Sequence, residues 1–561
     1  MASGRRRTRV AFALGVAFVL AGVVVWLGRG ADDPEQGVRP ISGRLLYPGQ
    51  ALRVLWRTKV RGEPGIEPEL GDFTRYRPIG YSAHVPHVPL PQHPFMARGG
   101  NNMHNDAYIS DAYEAPGPRG LNPRVRSRTQ GFGGYGTLAF DRFGRIVAVY
   151  SNGRGFQLEL MDADTLEERA SFDLPSRPWY FPLQGLMPWE YIGAGMYFYL
   201  DERDRAFVPT TENVIEVIQT PRPGTDDGFQ RVRRYDLSGH VVPLSWPQLD
   251  SVAWVLPDWQ GGTLWYATTA GLVGTIDEAS GAVRTRRLED EIIENSFAVG
   301  EEGVFIVSDR ALYRFVRDAA GEIAVGWRSE YDRGPGRKPG HITRGSGTSV
   351  TLMGGRDGLV AITDNAEPQV HVQLYRRSDG ERVCSVPVFT AGRSGTDISV
   401  AAFEHADEVG IGRGEYSVVA ENNWGHHSFP LSRPEPGLIR VDARRRADGS
   451  YDCGVVWSSN EKSIGVFKFS LGSGLIYMYG HDDSPLATGW YFTAVDFRTG
   501  ETVYRKNTGF GHGYNNWAGV LFLHPGGGVA YTTTIFGLVE MRDAATATEA
   551  PRAPVTSSRG R

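Results

Sequence analysis

The sequence predicts an all-β fold, an eight-bladed β-propeller, with an N-terminal transmembrane helix and a Pro-rich N-terminal extension. Three observations carry this reading. From residue 136 to 543 the chain alternates apolar runs of five to eight residues with turns of Gly, Asp, Asn and Ser, as consecutive antiparallel strands do. The runs group into eight units that begin near Gly136, Met196, Ser251, Asn295, Thr348, Asp397, Gly465 and Asn515, each with three or four strand candidates. The last unit, Ala518 to Asp543, holds only three strands, and an N-terminal strand, with Leu52 to Val60 as the candidate, could complete it and close the ring.

Composition bounds the rest. With 41% hydrophobic and 11% aromatic residues, the 561-residue chain can bury a large core. Its 71 glycines and 34 prolines supply turns without reaching the composition of a disordered chain. A net charge of −4 lacks the positive field that a nucleic-acid partner requires. Two cysteines exclude a disulfide-dense scaffold and a Cys-rich metal or iron–sulfur site.

Taken in order, Arg5, Arg6, Arg7 and Arg9 precede an unbroken apolar run from Val10 to Leu27. At 1.5 Å per residue such a run crosses about 27 Å of hydrocarbon. It reads as an uncleaved signal anchor over residues 1–30, with the N-terminus cytoplasmic by the positive-inside rule, since only Arg29 follows the run closely. The alternative is a cleaved signal peptide and secretion, with Gly28 and Gly30 as the small residues near a cleavage point. Residues 31–120 form an extracytoplasmic extension that holds the ring-closing strand and a lid; residues 121–543 form the propeller. The tail 544–561 has no core-forming residues and is predicted to be disordered.

The stretch Ala494-Val495-Asp496-Phe497-Arg498-Thr499-Gly500-Glu501-Thr502-Val503-Tyr504 resembles the A-x-D-x-x-T-G-x-x-x-W repeat of the quinoprotein alcohol dehydrogenase-like (PQQ-repeat-like) eight-bladed propellers. Weaker echoes begin at Ile276 and Met161, and Tyr504 stands where the repeat has Trp. The resemblance implies an oxidoreductase holding pyrroloquinoline quinone (PQQ) beside a vicinal cysteine pair, with calcium bound by acidic and amide side chains. Here Cys384 and Cys453 are far apart, and no C-x-x-C-H haem site occurs. Other members of that superfamily are scaffolds for envelope assembly.

If each blade runs A to D outward from the axis, the B–C and D–A connections share one face. Several of these connections are rich in Asp, Asn, Glu and His, which suits either a hard cation such as calcium or a polar small molecule. The acid–base candidates are Glu421, Asp364 and His104. Asn365, Asn422, Asn423, Glu461, Lys462, Asn515, Asn516, His512, Asn105 and Asp106 are expected to bind substrate. The competing reading is that these are the ordinary residues of tight turns. His84, His87, His93 and His104 cluster before the propeller, as solvated loop histidines, a loop-built zinc site, or a lid that brings His104 to Asp106 over the mouth. Cys384 and Cys453 fall on outer strands of adjacent units and are expected to form a disulfide in an oxidising compartment. Two functions remain open: an enzyme acting on a small polar molecule, with oxidoreduction first, or a non-catalytic binding or scaffold propeller of the cell envelope.

Overall fold

Eight antiparallel sheets follow one another along the chain in the computed structural model. The structure describes residues 65–67, 73–78, 83–130, 133–151, 155–176, 195, 197–225, 227–241, 250–339, 341, 343–407, 409–426, 433–463, 465–482, 489–516, 519–535 and 537–544. Every strand lies in one compact unit, Val54–Pro178 with Ile192–Arg561; the second unit, Met1–Arg53 with Trp179–Tyr191, falls outside the described residues. So do the apolar run 10–27, the proposed closing strand 52–60 and the tail from residue 545. Among the described residues no helix is long and apolar enough to cross a membrane.

Blade 1 is built from Gly134–Phe140, Ile146–Ser151, Phe156–Met161 and Glu168–Leu174, in that spatial order. The inner strands of blades 2 to 8 are Tyr199–Leu200, Val252–Pro257, Ala298–Gly300, Thr351–Met353, Ala401–Ala406, Lys468–Ser470 and Leu521–Leu523. Each lies within a few residues of a unit start expected from the sequence. Inner and middle strands are apolar on both faces because each sheet is covered by its neighbours, and Trp254, Trp265 and Trp490 are wholly buried between them.

The D–T–G motif works as turn chemistry predicts. The Asp496 carboxylate accepts from the amides of Arg498 at 2.9 Å and Thr499 at 3.0 Å, closing the hairpin between the third and fourth strands of blade 7. Gly500 takes φ +72°, and a Cβ there would lie 2.6 Å from the Trp457 ring. Trp457, on the outer strand of blade 6, donates its indole N–H to Phe497 O at 2.8 Å. Trp327 of blade 4 repeats this over Gly380 of blade 5, donating to Arg377 O at 3.0 Å. One tryptophan thus clamps each of these blades to the next hairpin.

The ring closes as expected in kind but with a different strand. Gly537–Asp543 pairs along its whole length with Pro123–Thr129, which becomes the fourth strand of blade 8, and Gly65–Glu67 pairs on the far edge of that strand. Pro123, Val125 and Ser127 are buried there and alternate with Arg124, Arg126 and Arg128, so the segment carries little apolar signal. Arg126 reaches Glu540 at 2.9 Å across the pair. Cys384 and Cys453 form a disulfide between the outer strands of blades 5 and 6. Closing 69 residues of chain in this way contributes about 4 kcal/mol on the chain-entropy account.

Residues 83–121 overturn the expected lid. Val85 N donates to Leu471 O at 2.9 Å and Val88 N to Glu404 O at 2.9 Å, and Phe95 packs on Gly261. These partners belong to the inner strands and A–B turns on the rear face, opposite the B–C and D–A connections. From there the chain enters the central channel. Gly100 O accepts from Phe140 N, Asn101 O from Leu200 N, Ala107 O from Val299 N, Tyr108 O from Leu352 N and Ser110 O from Ala402 N, at 2.8–3.0 Å. Ala112–Tyr113 then pairs in parallel with Phe469–Ser470. The physical reason is that the inner edge of a blade presents unpaired backbone N–H groups, and this segment satisfies them in blades 1, 2, 4, 5, 6 and 7. It is a plug inserted from behind, not a lid over the mouth.

Candidate functional site

The plug turns sharply to make its contacts, and three of its non-glycine residues adopt positive φ: Asn105 at 79°, Ile109 at 57° and Asp111 at 50°. A β-branched residue in that region is strained by about 1–3 kcal/mol and persists only where its surroundings over-determine it. The strained turn delivers the Asp111 carboxylate to the inner strand of blade 7. There Lys468 Nζ donates to Asp111 Oδ1 and, at 2.8 Å, to Met103 O. Ser399 Oγ, from the connection entering blade 6, donates to Asp111 Oδ2. His104 Nδ1 lies 3.0 Å from the same oxygen and 3.2 Å from Ser399 Oγ. All four side chains are buried.

Electrostatics fix the protonation of this group. Burial pushes the Asp111 carboxyl up, but Lys468 and His104 outweigh it and hold it below the usual carboxylate range. Burial pulls His104 below the usual histidine value despite Asp111, so the ring is neutral near pH 7. A carboxylate only accepts, so the Nδ1 of His104 carries the proton and its Nε2 is a bare acceptor. That Nε2 is buried and has no hydrogen-bond partner. His104 lines a cavity of about 20 Å³ with Asn102, Met103, Tyr197, Trp254 and Ser296. The His104 and Tyr197 rings are stacked, with centroids 6.4 Å apart.

The remaining predicted plug residues hold the turn together. Asn105 Oδ1 accepts from Gly100 N at 2.7 Å, and its amide donates to Ala112 O at 2.6 Å. Asp106 accepts from Tyr108 N at 3.0 Å and from Ser110 N and Oγ. Burial raises its carboxyl to about 7.

On the mouth face the predicted residues are brought together only in part. Asn423 Nδ2 donates to Glu421 Oε1 at 2.8 Å, and Asn423 Oδ1 accepts from Asp397 N at 2.8 Å. Asn422 donates to Arg393 O at 2.9 Å and accepts from Gly395 N at 3.2 Å. Glu421 is 2% exposed, its Oε2 has no partner, and burial raises its carboxyl to about 8. Asp364 stays apart, receiving His371 N at 2.7 Å, His371 Nδ1 at 2.9 Å and Gln373 Nε2 at 2.7 Å. Asn365 donates to Arg333 O and Gly336 O, tying down the preceding connection. Glu461 receives Arg505 at 2.5 Å and Thr502. Lys462 is half-buried in the connection leading to blade 7. Asn515 O accepts from Ile535 N at 2.9 Å, Asn516 O accepts from Gly519 N at 2.6 Å, and His512 opens a short 3₁₀ turn.

Most of the rim therefore works as loop staples. Glu421, Asp364 and His104 each answer to different partners and do not form one acid–base group. Sequence reasoning missed Asp111, Lys468 and Ser399, and passed over His426, whose Nδ1 lies 3.2 Å from Asp397 Oδ2 with both side chains buried. Lys468 left a signal: it interrupts the apolar run Val466-Phe467-Lys468-Phe469 in a chain with only five lysines.

Among the described residues no group of three or more His, Cys, Asp or Glu side chains converges as a metal site. His93 is pushed down to about 4 by burial against Trp259, and His87 Nδ1 lies 2.8 Å from Val85 O. PQQ does not fit either. The two cysteines are bonded to each other on outer strands and form no vicinal ring, and the plug residues Met103, His104 and Ile109 wall the cavity beside His104.

No family model matches the chain. An uncharacterized protein of Archaeoglobus fulgidus is 26% identical over 321 residues, which cover 50% of this chain and 59% of that protein. The chain thus spans about three fifths of that relative's length. Similar solved structures include BamB from Moraxella catarrhalis, at 13% identity and TM-score 0.36, covering 71% of this chain and 96% of that one. The Cps50 (Swd1) β-propeller domain of Myceliophteria thermophila matches at 11% identity and TM-score 0.33, covering 62% and 96%.

Proposed function

We propose that this chain is an exported, membrane-tethered propeller that acts as an enzyme on a small polar molecule, with His104 as the proton carrier at the channel floor. One observation supports the reading above all. A buried imidazole is oriented by a carboxylate at Nδ1 and left with an unpartnered Nε2 at a cavity. Holding a group in one tautomer is how a general base is prepared, and a proton exchange at Nε2 serves oxidoreduction and hydrolysis alike. Asp111 and Lys468 are positioning residues in this reading, since they act through His104.

The test is to incubate the purified full chain with fractionated small-molecule extract and follow composition by mass spectrometry. The wild type should alter at least one polar compound, and His104→Gln should slow that change about 100-fold or more. No difference between the two ends the enzyme reading. A second reading, a binding or scaffold propeller, is favoured by the rim amides spent on loop backbone; it predicts retention of a partner with no compound altered.

The tether rests on the Val10–Leu27 run behind four arginines. Alkaline carbonate should leave the full chain in the membrane pellet, and removal of residues 1–29 should release it. Release of the intact full chain by carbonate contradicts anchoring.

A further inference from the structure

We infer that the cavity beside His104 is a site for a single hydroxyl group, held between the bare Nε2 of His104 and the indole N–H of Trp254. The inference deepens the proposed function and rests on it for the source of that hydroxyl.

Trp254 lines the same cavity, and its Nε1–H is buried without an acceptor. The Tyr197 ring packs on it at 5.6 Å, its hydroxyl near the indole but without hydrogen-bond geometry. The cavity therefore presents one unmet acceptor and one unmet donor. Ser296 Oγ, which donates to Ser349 Oγ at 2.8 Å, adds lone pairs. Phe198, Phe297, Leu256 and Ile109 make up most of the remaining wall.

Each chemical class can be weighed against this pattern. A carbonyl oxygen answers the indole but leaves Nε2 unmet. An ammonium answers Nε2 but has no lone pair for the indole, and its charge would sit against apolar walls. A hydroxyl donates one bond and accepts another through one atom, and about 20 Å³ is room for one such group. Leaving both protein atoms unmet is unfavourable, which is the drive to fill the site.

Two sources share this chemistry, a resident water and the hydroxyl of a polar small molecule. The experiment separates them with the full chain, using ethylene glycol as probe and acetonitrile, an acceptor without a donor, as control. If a ligand hydroxyl is the source, the glycol binds about tenfold more tightly than acetonitrile, and Trp254→Phe, which keeps a ring but removes the N–H, weakens it about tenfold. If water is the source, glycol does not bind, and ligand-free crystals show a water within hydrogen-bond distance of both nitrogens. That outcome upholds the hydroxyl site while removing its support for a small-molecule enzyme. Equal binding of the two probes, glycol binding indifferent to Trp254→Phe in a variant that melts like wild type, or an empty cavity without glycol binding overturns the inference.

Discussion

Replacing Asp111 by alanine is expected to destabilise the protein by about 3–5 kcal/mol, because it strands a fully buried ammonium. Among the described residues Lys468 makes its ion pair with Asp111, its second acceptor is Met103 O, and the Asp106 carboxyl acts on it only at longer range. The same change removes the acceptor that holds His104 and Ser399 in place. Denaturant unfolding should show the loss as a lowered midpoint. The Lys468→Met variant is damaging for the mirrored reason, leaving a buried carboxylate short of its cation. Combining the two should recover part of the loss, with a coupling of about 2 kcal/mol or more in a double-mutant cycle. Strictly additive losses would mean that the pair is not the lock on the plug.

Glu421→Gln is expected to stabilise the protein in alkali and to change little in mild acid. The carboxyl titrates at about 8 when folded against a usual 4.5. Between those values the unfolded chain has lost its proton while the folded one keeps it, so stability falls as pH rises through the window. Full development of that shift corresponds to roughly 4–5 kcal/mol, an upper bound. Gln keeps the shape and the bond to Asn423 but never ionises. Melting temperatures at pH 5 and pH 9 check this: the two proteins should be close at the lower pH, with the variant higher at the upper. Equal melting at pH 9 would show that Glu421 ionises without penalty. His104 and Asp111, both held below their usual values, work in the opposite sense and weaken the plug as pH falls.

The eight blades were legible because strand alternation and turn chemistry are local. Asp496 caps its hairpin through amides two and three residues on, and that pattern is written in adjacent letters. The closing strand was harder to read, since Arg124, Arg126 and Arg128 dominate Pro123–Thr129 and its pairing partner lies over 400 residues away. The plug was illegible for a further reason. Its attachment to the blades runs through backbone carbonyls such as Gly100 O, Ala107 O and Ser110 O, which any residue supplies. Its polar side chains were noticed but read as a cover over the mouth, whereas they belong to a segment threaded through the channel from the rear. On the rim, Asn365 and Asn422 carry the same letters as ligand amides and serve as staples, a distinction visible only once partners are in place.

The protonation of His104 tests the central claim most directly, and nitrogen-15 NMR of histidine-labelled protein reads it. The account predicts a neutral ring with the proton on Nδ1 and a bare Nε2, titrating below the usual value of 6.5. A proton on Nε2, or titration at or above the usual value, would contradict the arrangement of Asp111, His104 and the channel plug on which everything here depends.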